Sequence, residues 1–255
     1  MSGEEKRPSV TSPGREAAAA PLPKRFYSEV TVGEGAGGGY SVLLDGRPVR
    51  TPRRLHLTVP TRPLADAIAE EWAAQQERID PSKMPLSKLA ITAIDAVAER
   101  QAEVADDIVR FAGSDLLCYR AEAPAALGDM QALTWNPVIS WIESEAGARF
   151  VLAEGVMPVT QSQDALARIG KLVAPYDPMA LTAIHVMTTL TGSAFLALAV
   201  AKQRLTAEEA WQAAHVDEDW QIERWGVDVE AAERRKRRHA EMLAASRFLQ
   251  LLSRD

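Results

Sequence analysis

Apolar and polar residues along this chain follow first a period of two and then a helical period. Around Phe26, the residues Phe26, Val30 and Val32 fall on one side, with Tyr27, Glu29 and Thr31 on the other, which predicts a strand. A GEGAGGG run separates it from YSVLLDGRPVRTP and RLHLTVP, where Leu55, Leu57 and Val59 alternate again. Asp45-Gly46 between apolar runs predicts a hairpin, because the turn needs positive φ and glycine tolerates it. Residues 25–60 therefore read as a small antiparallel meander that is too small to be stable without packing on something else.

The remainder is helical. Leu64, Ile68 and Trp72 fall four apart behind Pro63, and Leu86, Leu89, Ala90, Ala93, Ile94 and Val97 form a second stripe. Val104, Ile108 and Phe111 form a third, with Gly113 as its expected C-cap. The run 115–121, DLLCYRA, fits either strand or turn, and ARFVLAEGVMP reads as extended. Trp135, Val138, Trp141 and Ile142 predict a helix ending near Gly147, and 163–173 predicts another. Thr206 and Glu209 form a capping box opening a helix expected to run to Gly226, and Asp228 caps a last helix reaching Leu252.

One stretch stands apart. Met179 to Ala201 carries no charged residue, so its length alone admits a membrane span. Asp177-Pro178 ahead of it is a helix start suited to a soluble protein, and only Tyr176 marks its ends where a span would carry aromatic anchors. It is expected to be one buried central helix, with Thr182, His185, Thr189 and Gly192 forming a stripe that admits a close neighbour.

Composition narrows the partners. With 29 basic against 35 acidic residues, the net charge of -6 gives no global reason to expect nucleic acid or anionic lipid. A single cysteine, Cys118, excludes an intrachain disulfide framework and suits a reducing compartment. The start has no apolar run fit for a secretory signal and carries Glu4, Glu5 and Glu16, which a presequence avoids; a bacterial cytoplasmic protein is expected. Residues 1–23, rich in Ser, Pro, Gly and Ala, bury too little to offset their ordering entropy and read as a mobile tail.

Apparent motifs dissolve on inspection. Gly33 to Gly38 matches G-x-G-x-x-G, but a dinucleotide site needs a helix next and a strand follows here. His56, His185, His215 and His239 are scattered; His215 and Asp219 alone share i,i+4 spacing, which is too few ligands for a metal and reads as a solvated pair. His185 is expected as a hydrogen-bonded core histidine. No cofactor site is expected. Arg234 to Arg238 reads as an exposed helix face paired with Glu230 and Glu233. Arg47, Arg50 and Arg53 admit an anionic small-molecule substrate between the meander and the helices, or a basic strand edge that discourages sheet pairing. Ala210 to Glu230 interleaves Trp211, Trp220 and Trp225 with Asp217, Glu218, Asp219 and Glu223, which leaves both core and protein interface open.

Several stretches together resemble the assembly chaperones of the ATP synthase catalytic sector that act on its alpha subunit. They are KRFYSEVTV, LDGRPVRTP, the pattern from Leu64 to Trp72, MPLSKLAITAID, DLLCYRA, a Trp135-Asn136-Pro137 helix start, and above all DEDWQIERWGVD at 217–228. The resemblance implies a non-enzymatic α+β protein: a tail at 1–23, a β-rich domain at 24–62 and a helical domain at 63–255. It implies a monomer that binds the unassembled ATP synthase alpha subunit, with no stable membrane insertion, in the bacterial cytoplasm or, for eukaryotic relatives, the mitochondrial matrix. The family's essential acid corresponds to Glu218 in E-x-x-Q-x-x-x-W-G, with Gln221, Trp225 and Gly226, and Glu223 and Asp228 complete the expected partner-binding set.

Overall fold

The computed structural model describes residues 21–35, 37–155 and 159–253. Most of the expected tail, Ala36 of the glycine-rich loop and residues 156–158 therefore lie outside the described residues. Ordered contacts already include Pro23, whose carbonyl accepts the Ile79 N–H at 2.9 Å.

Four short strands open the chain: β1 (Val30–Glu34), β2 (Tyr40–Leu44), β3 (Arg47–Pro48) and β4 (Thr58–Val59). β2 pairs antiparallel with each of the others, with Val42 opposite Val32 and Tyr40 opposite Val59. The β2–β3 turn has Asp45 at φ 47° and Gly46 at φ 75°, the paired positive angles that the Asp-Gly dipeptide predicts. The strand starts later than the alternation suggested. A bend at Ser28 intervenes, so Tyr27 is buried, its hydroxyl donating to the Trp72 carbonyl at 2.7 Å, while Phe26 faces solvent. The faces assigned to those two residues are thus exchanged.

The sheet rests on α1 (Arg62–Ala73), and its buried Val42, Leu57 and Val59 join Leu64 and Ile68 in a core continuous with the helices. Two carboxylates fasten the layers. Glu71 of α1 accepts the Leu86 and Ser87 N–H groups at 2.7 and 2.8 Å, supplying the cap that α2 (Pro85–Thr92) lacks at its own N-cap residue, Met84. Asp95, in the π-helical turn Ala93–Val97 that follows, accepts the Thr51 hydroxyl at 2.6 Å and the Arg53 N–H at 3.1 Å, tying the far end of the meander down.

Then come α3 (Gln101–Gly113), α4 (Ala125–Ala146), α5 (Gln163–Val173), α6 (Pro178–Thr191), α7 (Ala194–Ala201), α8 (Ala207–Ala214), α9 (Val216–Trp225) and α10 (Val229–Leu252). Gly113 does not cap α3; it is the helix's last residue, and Ser114 follows with φ -137°. DLLCYRA is both of the expected things in turn: a 3-10 turn at Leu116–Cys118, then β5 (Tyr119–Arg120), parallel to β6 (Ala153–Glu154). α4 starts at Ala125, not at Trp135-Asn136-Pro137, so Pro137 sits inside it. The carbonyl deprived of a helical donor by that proline belongs to Leu133, which is 81% exposed, where water can serve instead.

The apolar stretch is two helices, not one rod. Asp177 caps α6 through the Ala180 N–H at 2.8 Å, as its Asp-Pro start predicts. α6 then stops at Gly192 (φ 69°), and Ser193 restarts the chain by accepting the Leu196 N–H at 3.0 Å. A distant segment stabilises this break: the Gly192 carbonyl accepts the Leu116 N–H, and the fully buried Asp115 carboxylate accepts the Phe195 N–H at 3.1 Å. The expected small-residue stripe does not seat a neighbouring helix along its length, because Thr189 is exposed and His185 is half-exposed, 2.6 Å from Asp107. Among the described residues no helix is long and apolar enough to cross a membrane.

Candidate functional site

α8 begins with the expected capping box: Thr206 accepts the Glu209 N–H at 3.1 Å and Glu209 accepts the Thr206 N–H at 2.7 Å. The helix was expected to continue to Gly226 but breaks at His215 (φ -116°, ψ 18°). The break turns α9 onto α4. Val216 and Trp220 are buried there, the Trp135 indole donates to the Ala213 carbonyl at 2.7 Å, and Gln131 donates to Asp217 at 2.6 Å. Asp217, Glu218 and Asp219 all fall in the first turn of α9, where the helix dipole favours negative charge.

Only one side of α9 is covered. Trp225, at its last turn, is 85% exposed, and Val227 and Val229 beyond the bend are 62% and 78% exposed. Gly226 makes the bend at φ 85°, a conformation that suits glycine. Asp228 then caps α10 by accepting the Ala231 N–H at 2.8 Å, as expected. The N-terminal part of α10 is solvated through Arg234, whereas its C-terminal half buries Met242, Ala245, Phe248 and Leu251.

Between α9 and α10 lies an open groove of about 870 Å³, floored by Trp211, Ile222, Trp225, Val227, Ala231 and Ala232. Of the expected partner-binding residues it brings together Glu218, Gln221, Trp225, Gly226 and Asp228. Glu223 lies on the opposite side of α9 and does not line it. Sequence reasoning missed Ile222, which follows Glu218 by one turn, and two lining histidines, His215 and His239.

Both histidines pack on an indole. The Trp211 ring lies 3.8 Å from the His215 ring and 5.1 Å from that of His239, centroid to centroid. His215 is buried and donates from Nδ1 to the Trp211 carbonyl at 2.7 Å, leaving Nε2 4.0 Å from Glu218. Burial holds its pKa below the usual histidine range, so the neutral Nδ1–H form is present at neutral pH. The expected solvated pair with Asp219 is not formed: Asp219 meets Arg235 of α10 at 2.5 Å, while the His215 ring turns back to the Trp211 carbonyl. The basic run likewise finds partners off its own helix. Arg235 takes Asp219, and Arg238 donates to the Leu190 carbonyl at 2.7 Å, which replaces the pairing expected with Glu230 and Glu233.

Of the three arginines near the hairpin, Arg50 and Arg53 are engaged internally and Arg47, in β3, is exposed. Arg53 contacts Glu99 at 2.8 Å and the Asp95 carbonyl at 2.6 Å, and Arg50 donates to the Arg54 carbonyl. Cys118 is fully buried, and burial pushes its thiol up to about 12, which leaves it without thiolate nucleophilicity at neutral pH.

With this geometry the chain finds relatives. The family profile of the ATP12 chaperone protein matches residues 24–143. Protein atp12, mitochondrial, of Schizosaccharomyces pombe is 25% identical over 232 residues, covering 85% of this chain and 79% of that protein. The crystal structure of Atp12 from Paracoccus denitrificans superposes with a TM-score of 0.85 at 43% identity, covering 90% of this chain and 98% of that one. A candidate chaperone from Agrobacterium tumefaciens gives 0.88 at 50% identity, covering 91% and 87%. The fold, the order of matching segments along nearly the whole described chain and the level of identity converge: this protein belongs to the ATP12 chaperone family.

Proposed function

We propose that this protein is a non-enzymatic chaperone of ATP synthase assembly that holds the unassembled alpha subunit of the catalytic sector until the beta subunit takes its place. The surface it uses is the tip formed by α9 and α10. One observation carries this reading: in a chain of the ATP12 chaperone family, a tryptophan and two valines stand 85%, 62% and 78% exposed around a single bend. Large exposed apolar groups that pack against nothing at home supply the anchoring energy of interfaces, with aromatics contributing most. Glu218, Gln221 and Asp228 surround that anchor with polar groups that set register. Glu218 acts on the client side of the groove, since its carboxylate is over half exposed and only loosely approached by His215.

The protein works as a monomer in the bacterial cytoplasm, matching a task in which a client face is covered one chain at a time. A subunit separated from its partner exposes apolar surface and aggregates, so a chaperone that covers it is read out by light scattering. Purified alpha subunit diluted from denaturant stays clear in the presence of the wild-type protein and turns turbid without it. Failure both to suppress scattering and to retain alpha subunit on an affinity column would overturn the proposal.

A further inference from the structure

The groove has two unlike walls, and their difference describes what fits between them. On the α10 wall stand Arg234, Arg235, Lys236 and Arg238, against Glu218 on the α9 wall and Asp228 at the bend. Asp228 is occupied as a helix cap, and Arg235 and Arg238 are held by Asp219 and the Leu190 carbonyl. Arg234 and Lys236 remain exposed, on the two sides of the groove-facing stripe of α10. The groove is therefore locally basic in a chain whose net charge is -6, and its floor is apolar. Both walls are helices with their backbone groups bonded internally, so an extended peptide finds no strand edge to extend. A helix brings its own backbone bonds and needs only an apolar floor and flanking charge.

We infer that the groove receives an amphipathic helix of the partner, its apolar face on Ile222, Trp225 and Val227 and its α10-facing flank carrying Asp or Glu toward Arg234 and Lys236. This deepens the reading of the tip as a client surface and rests on it for the partner's identity, but the chemistry is fixed by the groove alone.

The test uses the full-length chain and two labelled helical peptides with the same Leu/Ala face, one flanked by Glu and the other by Lys, followed by fluorescence anisotropy. The protein's global charge favours the Lys peptide, so a preference for Glu reports the local wall. The Glu peptide is expected to bind at least about tenfold more tightly, a difference of ~1.4 kcal/mol. The double variant Arg234→Glu/Lys236→Glu, at two solvated positions, reverses the order, and Trp225→Ala weakens both peptides. Equal binding, a preference for Lys, an order unchanged by the double variant, or no binding of either peptide would overturn the inference. Alpha-subunit capture is measured alongside. Capture without acidic preference removes the inference and leaves the proposed function; acidic preference without capture does the reverse.

Discussion

Two apolar regions of this chain sit at opposite extremes of solvent exposure. In α7 every residue from Ala194 to Val200 is buried, enclosed by α3, α4, α6, α8 and α10. Around the α9–α10 bend, Trp225, Val227 and Val229 have no such enclosure and stand in water. Both carry large apolar side chains, so hydrophobicity alone does not distinguish them. What differs is how many elements converge: this assigns the first region to stability and, on the proposed function, leaves the second for recognition. Apolar burial is the dominant favourable contribution to folding, so a side chain that buries nothing contributes little to it and is free to serve a partner.

Substitutions sharpen that contrast when ranked by their expected effect on stability. Phe195→Ala, in the middle of α7 with no exposed surface, is expected to destabilise by ~3–5 kcal/mol in urea titration, through lost transfer energy and an unfilled cavity. A change below about 1 kcal/mol would show that α7 is not the centre of the core.

Asp115 comes next. It is wholly buried, and desolvation raises its carboxyl to about 7 from an ordinary 3.8, against the opposing hydrogen bonds from Ser193, Phe195 and Leu117. A carboxyl whose folded-state pKa exceeds its unfolded value takes up a proton on folding, so its contribution to stability falls as pH rises from about 4 to 7. Asp115→Asn removes the titration. The stability of wild type relative to this variant should therefore decline across that window, by up to ~4 kcal/mol, and then level off. Parallel pH profiles for the two proteins would contradict this account of the α6–α7 break.

Thr206→Ala, which removes one half of the α8 capping box, is expected to destabilise by ~1 kcal/mol in the same titration. Trp225→Ala is expected to move stability by less than ~0.5 kcal/mol despite deleting the largest side chain type, because that indole is 85% exposed. A large loss there would mean that the tip belongs to the core after all.

What the sequence disclosed, and what it withheld, follows the range of the interactions involved. The Thr206–Glu209 box, the Asp177-Pro178 start, the Asp45-Gly46 turn and helix α5 are all fixed by residues within a few positions, and each was legible. The break at Gly192-Ser193 was not, because Gly192 was read as part of a small-residue stripe and the carboxylate that stabilises the break comes from Asp115, far away in the chain. The bend at His215 was hidden for the same reason: α9 turns there to lay Trp220 on α4, and the His215 ring points back to the Trp211 carbonyl and away from Asp219. For the site, the letters singled out residues 218–228, yet the three tryptophans of 210–230 look alike in sequence. Only packing separates buried Trp211 and Trp220 from exposed Trp225. The groove's second wall, on α10, was read as a solvated face because its counterparts lie on a different helix.

The central claim is that Trp225 is kept for a partner and not for the fold. Its most direct test is the affinity of alpha subunit for Trp225→Ala against wild type, measured by biolayer interferometry with circular dichroism on the same samples. A loss of at least ~2 kcal/mol in binding with unchanged dichroism and unfolding midpoint is the predicted result. Undiminished affinity, or a loss that simply tracks unfolding, would contradict it.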